Sequence, residues 1–555
     1  MPLLTIDDHP IEVEPGALII QAADRLGIEV PRFCYHPDLR PEGNCRMCLV
    51  EVQGYPRLTV ACATPVVDGM VVRTPHTSEQ VQTAVRGVLE FLLLNHPLDC
   101  PICDQSGECS LQDFYLHPHY GLHHSEVDPS EKVRKRKVID LGPMVVLDSE
   151  RCVLCSRCVR FSAEVSGAAE LQFVNRGNHV ELKAFEDRAL ADPYAGNLVD
   201  ICPVGALTSK DFRFKRRVWY LQHTDSVCAG CSTGCNVRID HFQGKIERVV
   251  PRRNPQVNKS WLCDEGRMSF HALTRGTRII QPRQRQDSGW RDVDWETALA
   301  AAHDGLHTSP SVETPATVGA LASTSATNEA LLLFKRYVTR SFVAPLLDCR
   351  FGQEEQWVEE RQDALLRRRD KHPNTRGALL LGFARAPEGG LRQMTELARQ
   401  GGLAAALVLY LPPLVGEEDQ AALESLRELL GHVSFGVVLT THEADWLRPA
   451  SVVLPITTWG EEGGTFTNYA GIVQQVNRAV SAPGLARPAV EVLSGLLQRS
   501  AGLARSLAPA EVFSDVVTEV PAYAGLTYDG LTSRSATVYP PEGRMSYGQE
   551  GFAGR

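Results

Sequence analysis

The cysteines of this 555-residue chain are concentrated in its first half. Of its 16 cysteines, all but one lie at or before Cys263, and Cys349 is the exception. Together with one histidine they form four groups of four at short spacings. Cysteines at Cys-x-x-Cys spacing inside a cell are typical of metal ligands, whereas disulfide frameworks are expected in small secreted domains. The first half is therefore predicted to fold around four metal centres.

Length and charge narrow the class of protein further. A chain this long predicts several domains, because single cores stop growing well below this size. The net charge of −10 comes without a broad basic stripe, which argues against nucleic-acid binding. The N-terminus lacks a signal-peptide pattern, and the most apolar stretch, Leu403 to Val415, is too short for a bilayer and contains two prolines. We expect a soluble, cytosolic chain.

The first group has the spacing C-x10-C-x2-C-x13-C and consists of Cys34, Cys45, Cys48 and Cys62. Two strands, Leu3 to Asp7 and Ile11 to Glu14, are predicted to form a hairpin around residues 8–10. A helix over Ala17 to Leu26 and a strand over Leu49 to Val52 complete the pattern. This order indicates a β-grasp ferredoxin whose surface loop binds a 2Fe–2S cluster. A zinc knuckle is the alternative.

The second group has the spacing H-x3-C-x2-C-x5-C and consists of His96, Cys100, Cys103 and Cys109. An amphipathic helix precedes it, with Thr77 and Gln80 predicted as a capping box and an apolar face running from Val81 to Leu92. Pro97 ends the helix, so His96 lies at its C-terminal end. A lone histidine is usually not a metal ligand. Here the three cysteines directly after His96 lack a fourth ligand, which favours His96 in that role. A Cys₃His zinc site competes with a 4Fe–4S cluster here.

The third group consists of Cys152, Cys155, Cys158 and Cys202. A two-cluster bacterial ferredoxin would carry a fourth cysteine where this chain has Ser162. Cys202 and Pro203 match the end of that ferredoxin's second motif, whose other positions are Asp192, Ala195 and Leu198. In such ferredoxins the fourth cysteine of one motif ligates the other cluster. The surviving residues are therefore a complete ligand set for one 4Fe–4S cluster.

The fourth group has the spacing C-x2-C-x3-C-x27-C and consists of Cys228, Cys231, Cys235 and Cys263. Two predicted strands, Asn236 to Asp240 and Lys245 to Val250, lie between its third and fourth members. A zinc ribbon would have a similar pattern. The segments Trp261 to Arg267 and Trp295 to Leu299 resemble the start of molybdopterin oxidoreductases, which open with a 4Fe–4S cluster bound at this spacing.

The second half alternates strand-like and helix-like segments, which predicts a parallel α/β sheet. The strand-like runs are Ala316 to Ala322, Ala378 to Phe383, Ala404 to Leu411, Phe435 to Thr440 and Val452 to Ile456; the helix-like runs include Asn328 to Phe342 and Glu417 to Leu430. A helix is expected over Ala501 to Leu507, and the tail beyond Pro540 is expected to be flexible. Cys349 is interpreted as a structural cysteine.

The four groups in this order resemble the large iron–sulfur subunit, or G-type subunit, of bacterial respiratory NADH:quinone oxidoreductase (complex I). The segment C-P-I-C-D-Q-S-G-E-C, Cys100 to Cys109, is the most specific part of that resemblance. It implies one 2Fe–2S cluster and three 4Fe–4S clusters, with no molybdopterin and no catalytic residue in this chain. Electrons would pass from the first group to the third and then the second, with the fourth off this line.

The resemblance also implies partners and a place in the cell. The partners would be a flavin- and NADH-binding subunit, a ferredoxin-like two-cluster subunit and other peripheral-arm subunits. The chain would lie on the cytoplasmic side of the bacterial inner membrane, held there only through partners. Rival functions are an iron–sulfur subunit of an NAD-linked hydrogenase or formate dehydrogenase, and a zinc-binding scaffold.

The predicted architecture is multidomain, α+β and α/β. Its expected domains are a β-grasp 2Fe–2S ferredoxin (1–76), a helical His-Cys₃ 4Fe–4S segment (77–140), a ferredoxin-like 4Fe–4S domain (141–217), a 4Fe–4S subdomain of molybdopterin-oxidoreductase type (218–285), a truncated, vestigial molybdopterin-oxidoreductase-like α/β domain (286–500) and a C-terminal extension (501–555).

Overall fold

A computed structural model describes most of the chain: residues 1–122, 125, 128, 130, 132–287, 289–308, 317–352, 360–383, 390–501, 507–531 and 536–537. It divides into two compact units. The first contains residues 1–221 and 261–264, and the second contains residues 222–260 and 265–555. The predicted tail beyond Pro540 and residues 502–506 of the predicted short helix lie outside the described residues.

The first unit opens with a five-stranded mixed sheet and one helix. Its elements are β1 (Leu3–Ile6), β2 (His9–Glu12), α1 (Ile19–Leu26), β3 (Leu49–Val52), β4 (Thr59–Val60) and β5 (Met70–Arg73). The strand order is β2-β1-β5-β3-β4, with β1 parallel to β5. The hairpin turns at Asp7 and Asp8, both at positive φ, so the prediction of a turn over residues 8–10 was about one residue late. Aspartate tolerates this backbone, which suits a two-residue hairpin.

The remainder of the first unit is built from one helix of 16 residues and several shorter segments. They are α2 (Glu79–Leu94), α3 (Ser110–Tyr115), β6 (Ile139–Asp140), β7 (Val145–Leu147), α4 (Arg157–Arg160), β8 (Leu171–Val174), β9 (Glu181–Ala184), α5 (Asn197–Asp200) and β10 (Leu207–Ser209). The predicted cap of α2 was wrong by one residue. Ser78, not Thr77, accepts the Val81 backbone N–H, because the Thr77 hydroxyl donates to Asp7 instead.

The second unit holds longer strands and helices. They are β11 (Gln222–Val227), β12 (Asn236–Phe242), β13 (Lys245–Pro251), α6 (Asp264–Met268), β14 (Arg283–Gln286), β15 (Gly289–Asp292), α7 (Trp295–Thr308), β16 (Thr317–Ala322), α8 (Asn328–Ser341), β17 (Leu346–Asp348), α9 (Thr375–Leu380), α10 (Gly390–Arg399), β18 (Leu403–Leu409), α11 (Gln420–His432), β19 (Phe435–Thr440), β20 (Val452–Pro455), β21 (Gly464–Thr467), β22 (Ile472–Val476), α12 (Ala489–Ala501), α13 (Pro509–Glu519) and β23 (Ala536–Thr537).

A seven-stranded sheet is the centre of the second unit. Its order is β15-β14-β20-β19-β18-β16-β17, and the strands from β20 to β17 are parallel. The antiparallel hairpin of β14 and β15 forms one edge. Every residue of β18 is buried, as expected for a parallel strand covered on both faces. The predicted parallel sheet is thus present, with an antiparallel edge that the sequence did not suggest.

One predicted strand was wrong. The predicted run was Ala378 to Phe383, and its residues 378–380 lie in the helix α9 (Thr375–Leu380). The Ala378 backbone N–H donates to the Asn374 carbonyl, and the alanine and leucine residues of this run favour helix over strand.

Among the described residues, no helix is both long and apolar enough to cross a bilayer.

Two of the buried carboxyl groups in the second unit, Glu329 and Glu462, have raised pKa values. Glu329 accepts hydrogen bonds from the Thr465 backbone N–H and hydroxyl, both at 2.8 Å, and Glu462 accepts from Thr457 at 2.9 Å. Burial raises the pKa of Glu329 and of Glu462 to about 7 each. The folded unit therefore keeps protons that the unfolded chain loses near pH 4.5, so its stability falls as pH rises from there to about 7.

We predict that Glu329→Gln flattens this pH dependence. In the parent chain, raising the pH from about 5 to about 8 should cost about 3 kcal/mol for each of the two carboxyls, and the variant should lose the Glu329 share because its amide cannot ionise. Hydrogen exchange of β18 and β19 in urea measures this. Glu424→Gln, at an exposed position on α11, is the control and should keep the parent slope. An unchanged slope in Glu329→Gln would contradict the prediction.

Candidate metal centres

The four thiols of the first group lie together beside the five-stranded sheet. Cys34, Cys45 and Cys48 come from the loop between α1 and β3, and Cys62 follows β4. The Cys34 backbone N–H donates to the Cys45 sulfur at 3.4 Å. Side-chain hydrogen bonds join Cys34 to Cys45 and to Cys62, and Cys62 to Cys48. All but Cys45 are buried, so this is a compact four-thiol donor set.

The second group surrounds a cavity of about 430 Å³. His96, Cys100, Cys103 and Cys109 all line it, and they come from the end of α2, the following turn and the residue before α3. A single zinc ion would bond four ligands directly at about 2.0–2.3 Å and draw them into mutual contact. The four donors line one void, and a void of this size has room for a cluster of several atoms.

The electrostatics of this cavity keep His96 in its ligand form. Burial, followed by the nearby positive charges of Arg151 and Lys132, lowers the pKa of His96 to about 4. The imidazole is therefore neutral at pH 7, and only the neutral ring can donate to a metal. Arg151 also lines the cavity and is held by hydrogen bonds to Asp99 at 2.9 and 3.1 Å.

Gly205 gives the cavity its shape on one side. A Cβ atom added to Gly205 would lie 2.2 Å from the Cys103 sulfur, far inside contact distance. The same segment is tied to the second group by the Ser110 backbone N–H, which donates to the Pro203 carbonyl at 3.1 Å. The lack of a side chain at this position thus makes room for a sulfur ligand.

The third group lines a cavity of its own. Cys152, Cys155, Cys158 and Cys202 all face it, although Cys202 is far along the chain from the other three. Leu154 and Ser156 have positive φ, which turns the backbone sharply between the cysteines. Burial raises the pKa of the Cys152 thiol to about 12 and that of Cys155 to about 11. Such thiols ionise only when a strongly positive group, such as iron, takes the place of the proton.

The erased motif positions of the third group have ordinary structural roles. Ser162 is buried and its hydroxyl accepts the Glu170 backbone N–H at 2.9 Å. Ala195 and Leu198 are buried. The structure therefore gathers one complete set of four thiols here, in keeping with the sequence interpretation.

The fourth group is divided between the two units. Cys228, Cys231 and Cys235 are buried in the loop between β11 and β12, where the Cys228 backbone N–H donates to the Cys235 carbonyl at 2.8 Å. Cys263 is also buried but belongs to residues 261–264 of the first unit. The fourth centre as a whole stays a prediction.

Cys349 lies in the apolar core of the second unit. It is 2% exposed and follows β17, where its backbone N–H donates to Asp348 at 2.8 Å.

Among the described residues, no three histidine, cysteine, aspartate or glutamate side chains converge as a single-ion site.

Two arginines near the cysteines were missed by the sequence analysis. Arg157 donates to the Tyr35 carbonyl at 2.6 Å and to the Ile201 carbonyl at 3.1 Å. Arg160 donates to the Cys34 carbonyl and pairs with Glu42 at 2.8 Å. Their position within and just after C-x2-C-x2-C was a visible signal, but only the tertiary structure shows that both reach the first group.

Comparison with protein families assigns cluster-binding modules along the chain. The matches are a 2Fe-2S iron-sulfur cluster binding domain (residues 3–77), an NADH-ubiquinone oxidoreductase-G iron-sulfur binding region (86–125), an NADH-quinone oxidoreductase subunit 3 ferredoxin-like domain (142–208), a molybdopterin oxidoreductase Fe4S4 domain (221–273) and a molybdopterin oxidoreductase (374–499). The chain thus contains both 2Fe–2S and 4Fe–4S binding domains.

Curated relatives carry a consistent name. The G-type subunit of NADH-quinone oxidoreductase from Rickettsia bellii is 40% identical over 61% of this chain and 48% of its own length. The Streptomyces coelicolor protein of the same name is 43% identical over 55% of this chain and 36% of its own. The NADH-ubiquinone oxidoreductase 75 kDa subunit of Reclinomonas americana is 43% identical over 53% and 42%.

Over this part of its length, the chain is homologous to the G-type subunit of NADH-quinone oxidoreductases. The matches cover less than half of each of these three relatives. A solved structure titled as an NAD+-reducing [NiFe]-hydrogenase in the H2-reduced state is 34% identical over 39% of this chain and 91% of its own, with a TM-score of 0.35. That score is too low to establish a shared overall fold.

We predict that Gly205→Ala impairs the second centre. The added methyl group has no room beside the Cys103 sulfur, so either the ligand or the backbone must move. The purified variant should contain less iron than the parent, by up to the content of one cluster, while the centre of the first group stays intact. Iron and acid-labile sulfide analysis, with low-temperature electron paramagnetic resonance (EPR), measures this.

Gly87→Ala is the matched control. Gly87 lies inside α2, and a Cβ there meets no atom within 4 Å. Alanine is favoured over glycine in a helix interior by about 1 kcal/mol, so the control should keep its iron and be no less stable than the parent. Equal iron content in Gly205→Ala and the parent would contradict the prediction, because the cavity would then accept a methyl group beside Cys103.

Proposed function

We propose that this chain is the electron-relay subunit of a proton-pumping NADH:quinone oxidoreductase. It would bind one 2Fe–2S cluster at the first group and 4Fe–4S clusters at the other three. When bound, such clusters supply reversible one-electron oxidation and reduction. A flavin- and NADH-binding subunit and a ferredoxin-like two-cluster subunit would be partners, among other peripheral-arm subunits on the cytoplasmic side of the bacterial inner membrane.

The linkage of three donor sets within the first unit carries this proposal. Arg157 bridges the loop of Cys34 to the residue before Cys202, which links the first and third groups. The segment after Cys202 places Gly205 against Cys103, which links the third and second groups. Electron transfer weakens steeply with distance, so neighbouring sites that share their walls suit a relay better than separate structural metals.

The chain's own residues would bind and insulate the clusters. Cysteine thiolates and the neutral imidazole of His96 are the donors, and most of the cysteines are buried. Exclusion of water strengthens every charge interaction at the site. Replacement of a thiolate by the imidazole of His96 makes that cluster less negative, which by itself favours reduction. The path would run from the first group to the third and then the second, with the fourth off this line.

The second unit would have a supporting role. We propose that it is a vestige of a molybdopterin oxidoreductase, kept for packing against partner subunits, and that it binds no molybdopterin. The family matches at residues 221–273 and 374–499 are the basis for its ancestry. Molybdenum above background in the purified chain would contradict this part of the proposal.

Metal analysis and EPR of the anaerobically purified chain test the relay function. We expect about 14 irons per chain, from one 2Fe–2S and three 4Fe–4S clusters, with matching sulfide and little zinc. His96→Ala should remove or alter one 4Fe–4S signal, and His96→Cys should restore four ligands while lowering that cluster's reduction potential, because a thiolate adds negative charge.

Cys349→Ala is the control for these variants. Because Cys349 lies in the apolar core of the second unit, the control should retain all the iron of the parent. A chain rich in zinc and without acid-labile sulfide would refute the relay function. Cluster signals that survive His96→Ala unchanged would refute the assignment of the second site alone.

A further inference from the structure

Arg157 occupies an unusual place between two groups of metal ligands. It lies within the third group's C-x2-C-x2-C motif and lines the cavity formed by that group's cysteines. Its guanidinium reaches out of that motif and donates to the Tyr35 carbonyl at 2.6 Å, one residue after the first-group ligand Cys34. It also donates to the Ile201 carbonyl at 3.1 Å, one residue before the third-group ligand Cys202.

In the part of the chain that the structure describes, the positive charge of Arg157 has no carboxylate partner. Among the described residues, both of its hydrogen-bond acceptors are backbone carbonyls, and its Nε atom is buried without any acceptor. Arg160, three residues later, pairs with Glu42. A largely buried cation is costly unless an opposite charge compensates it.

The cysteines of both groups are the nearest source of that opposite charge. Burial disfavours the charged form of Arg157, and Cys155, Cys202, Cys34 and Cys45 are the groups whose negative charge would favour it. Arginine stays protonated in proteins, so the charge itself is constant. A cluster with four thiolate ligands is a net anion, and its sulfur atoms accept the N–H bonds that set its potential. The Nε–H that lacks an acceptor is a suitable donor for such a sulfur.

We propose that Arg157 is a positioning residue shared by two clusters, which joins their loops and raises both reduction potentials. This rests on the proposed function, because both groups must hold iron–sulfur clusters. Reduction adds an electron to an anionic site, so a nearby fixed cation stabilises the reduced form of each cluster. One side chain then holds the loops of two neighbouring clusters together and also raises the reduction potential of each cluster.

Redox titration followed by EPR tests this in the full chain, purified anaerobically with its clusters. The 2Fe–2S and 4Fe–4S signals are separated by the temperatures at which they relax, and the signal of the third group is the 4Fe–4S signal that Cys202→Ser removes or alters. Arg157→Gln removes the charge, and we expect both reduction equilibria to shift at least tenfold toward the oxidised form, about 59 mV for one electron. Arg157→Lys keeps the charge and should shift each midpoint by less than half as much.

Arg188→Gln is the matched control. Arg188 is in the same unit, exposed, and paired with Glu186, so its loss should leave both midpoints at the parent value. A parent chain without either signal would refute the proposed function itself. Parent signals that are present, with either midpoint unmoved in Arg157→Gln, would overturn only the shared role of Arg157.

Two further outcomes are decisive. If Arg157→Lys shifts both midpoints as far as Arg157→Gln, the charge is not the cause and the proposal is overturned. If Arg157→Gln loses its clusters, Arg157→Lys decides. If Arg157→Lys retains both clusters with midpoints near those of the parent, the role of the cation is supported. If Arg157→Lys also loses both clusters, Arg157 has only a structural role.

Discussion

Hydrogen bonds from two arginines to backbone carbonyls hold the cluster-binding loops of the first unit together. Arg157 and Arg160 both reach the loop of Cys34 from a single turn of helix, α4. The strands of this unit are only two to four residues long, and such short strands have little stability by themselves. Side-chain bridges between loops therefore add to the short strands in holding this unit together. Metal binding contributes directly to folding in domains of this kind.

The second unit is held together in a different way. Its parallel strands form an apolar core with the surrounding helices, and a buried polar network joins the helix α8 to the strand β21. Asn328 donates to Thr465 and Thr467, each at 3.0 Å, and Glu329 accepts from Thr465. Fully paired networks of this kind specify a single arrangement of a core. The α/β part of this unit is thus stabilised by apolar packing and paired polar groups, which fits the proposed supporting role.

Sequence reasoning was most successful where chemistry required particular residues at particular spacings. The donor sets of the first three groups were predicted residue by residue, and the structure brings each of them together. It was less successful for segments without such a requirement. The run ending at Phe383 was predicted as a strand because its residues are apolar, yet α9 forms there, since short apolar runs do not distinguish a strand from a buried helix. The cap of α2 was predicted at Thr77 but lies at Ser78. The Thr77 hydroxyl instead donates a hydrogen bond to Asp7, which is distant in sequence.

By itself, the sequence determined which side chains are available as metal donors, because the identity and spacing of these residues are properties of the chain. The tertiary structure decided which donor sets are neighbours. Gly205 lies against Cys103, and Arg157 joins the loops of Cys34 and Cys202, through contacts between residues far apart in sequence. The spacing of residues along the chain cannot predict these contacts, because they depend on how the loops pack and on how buried charges are compensated.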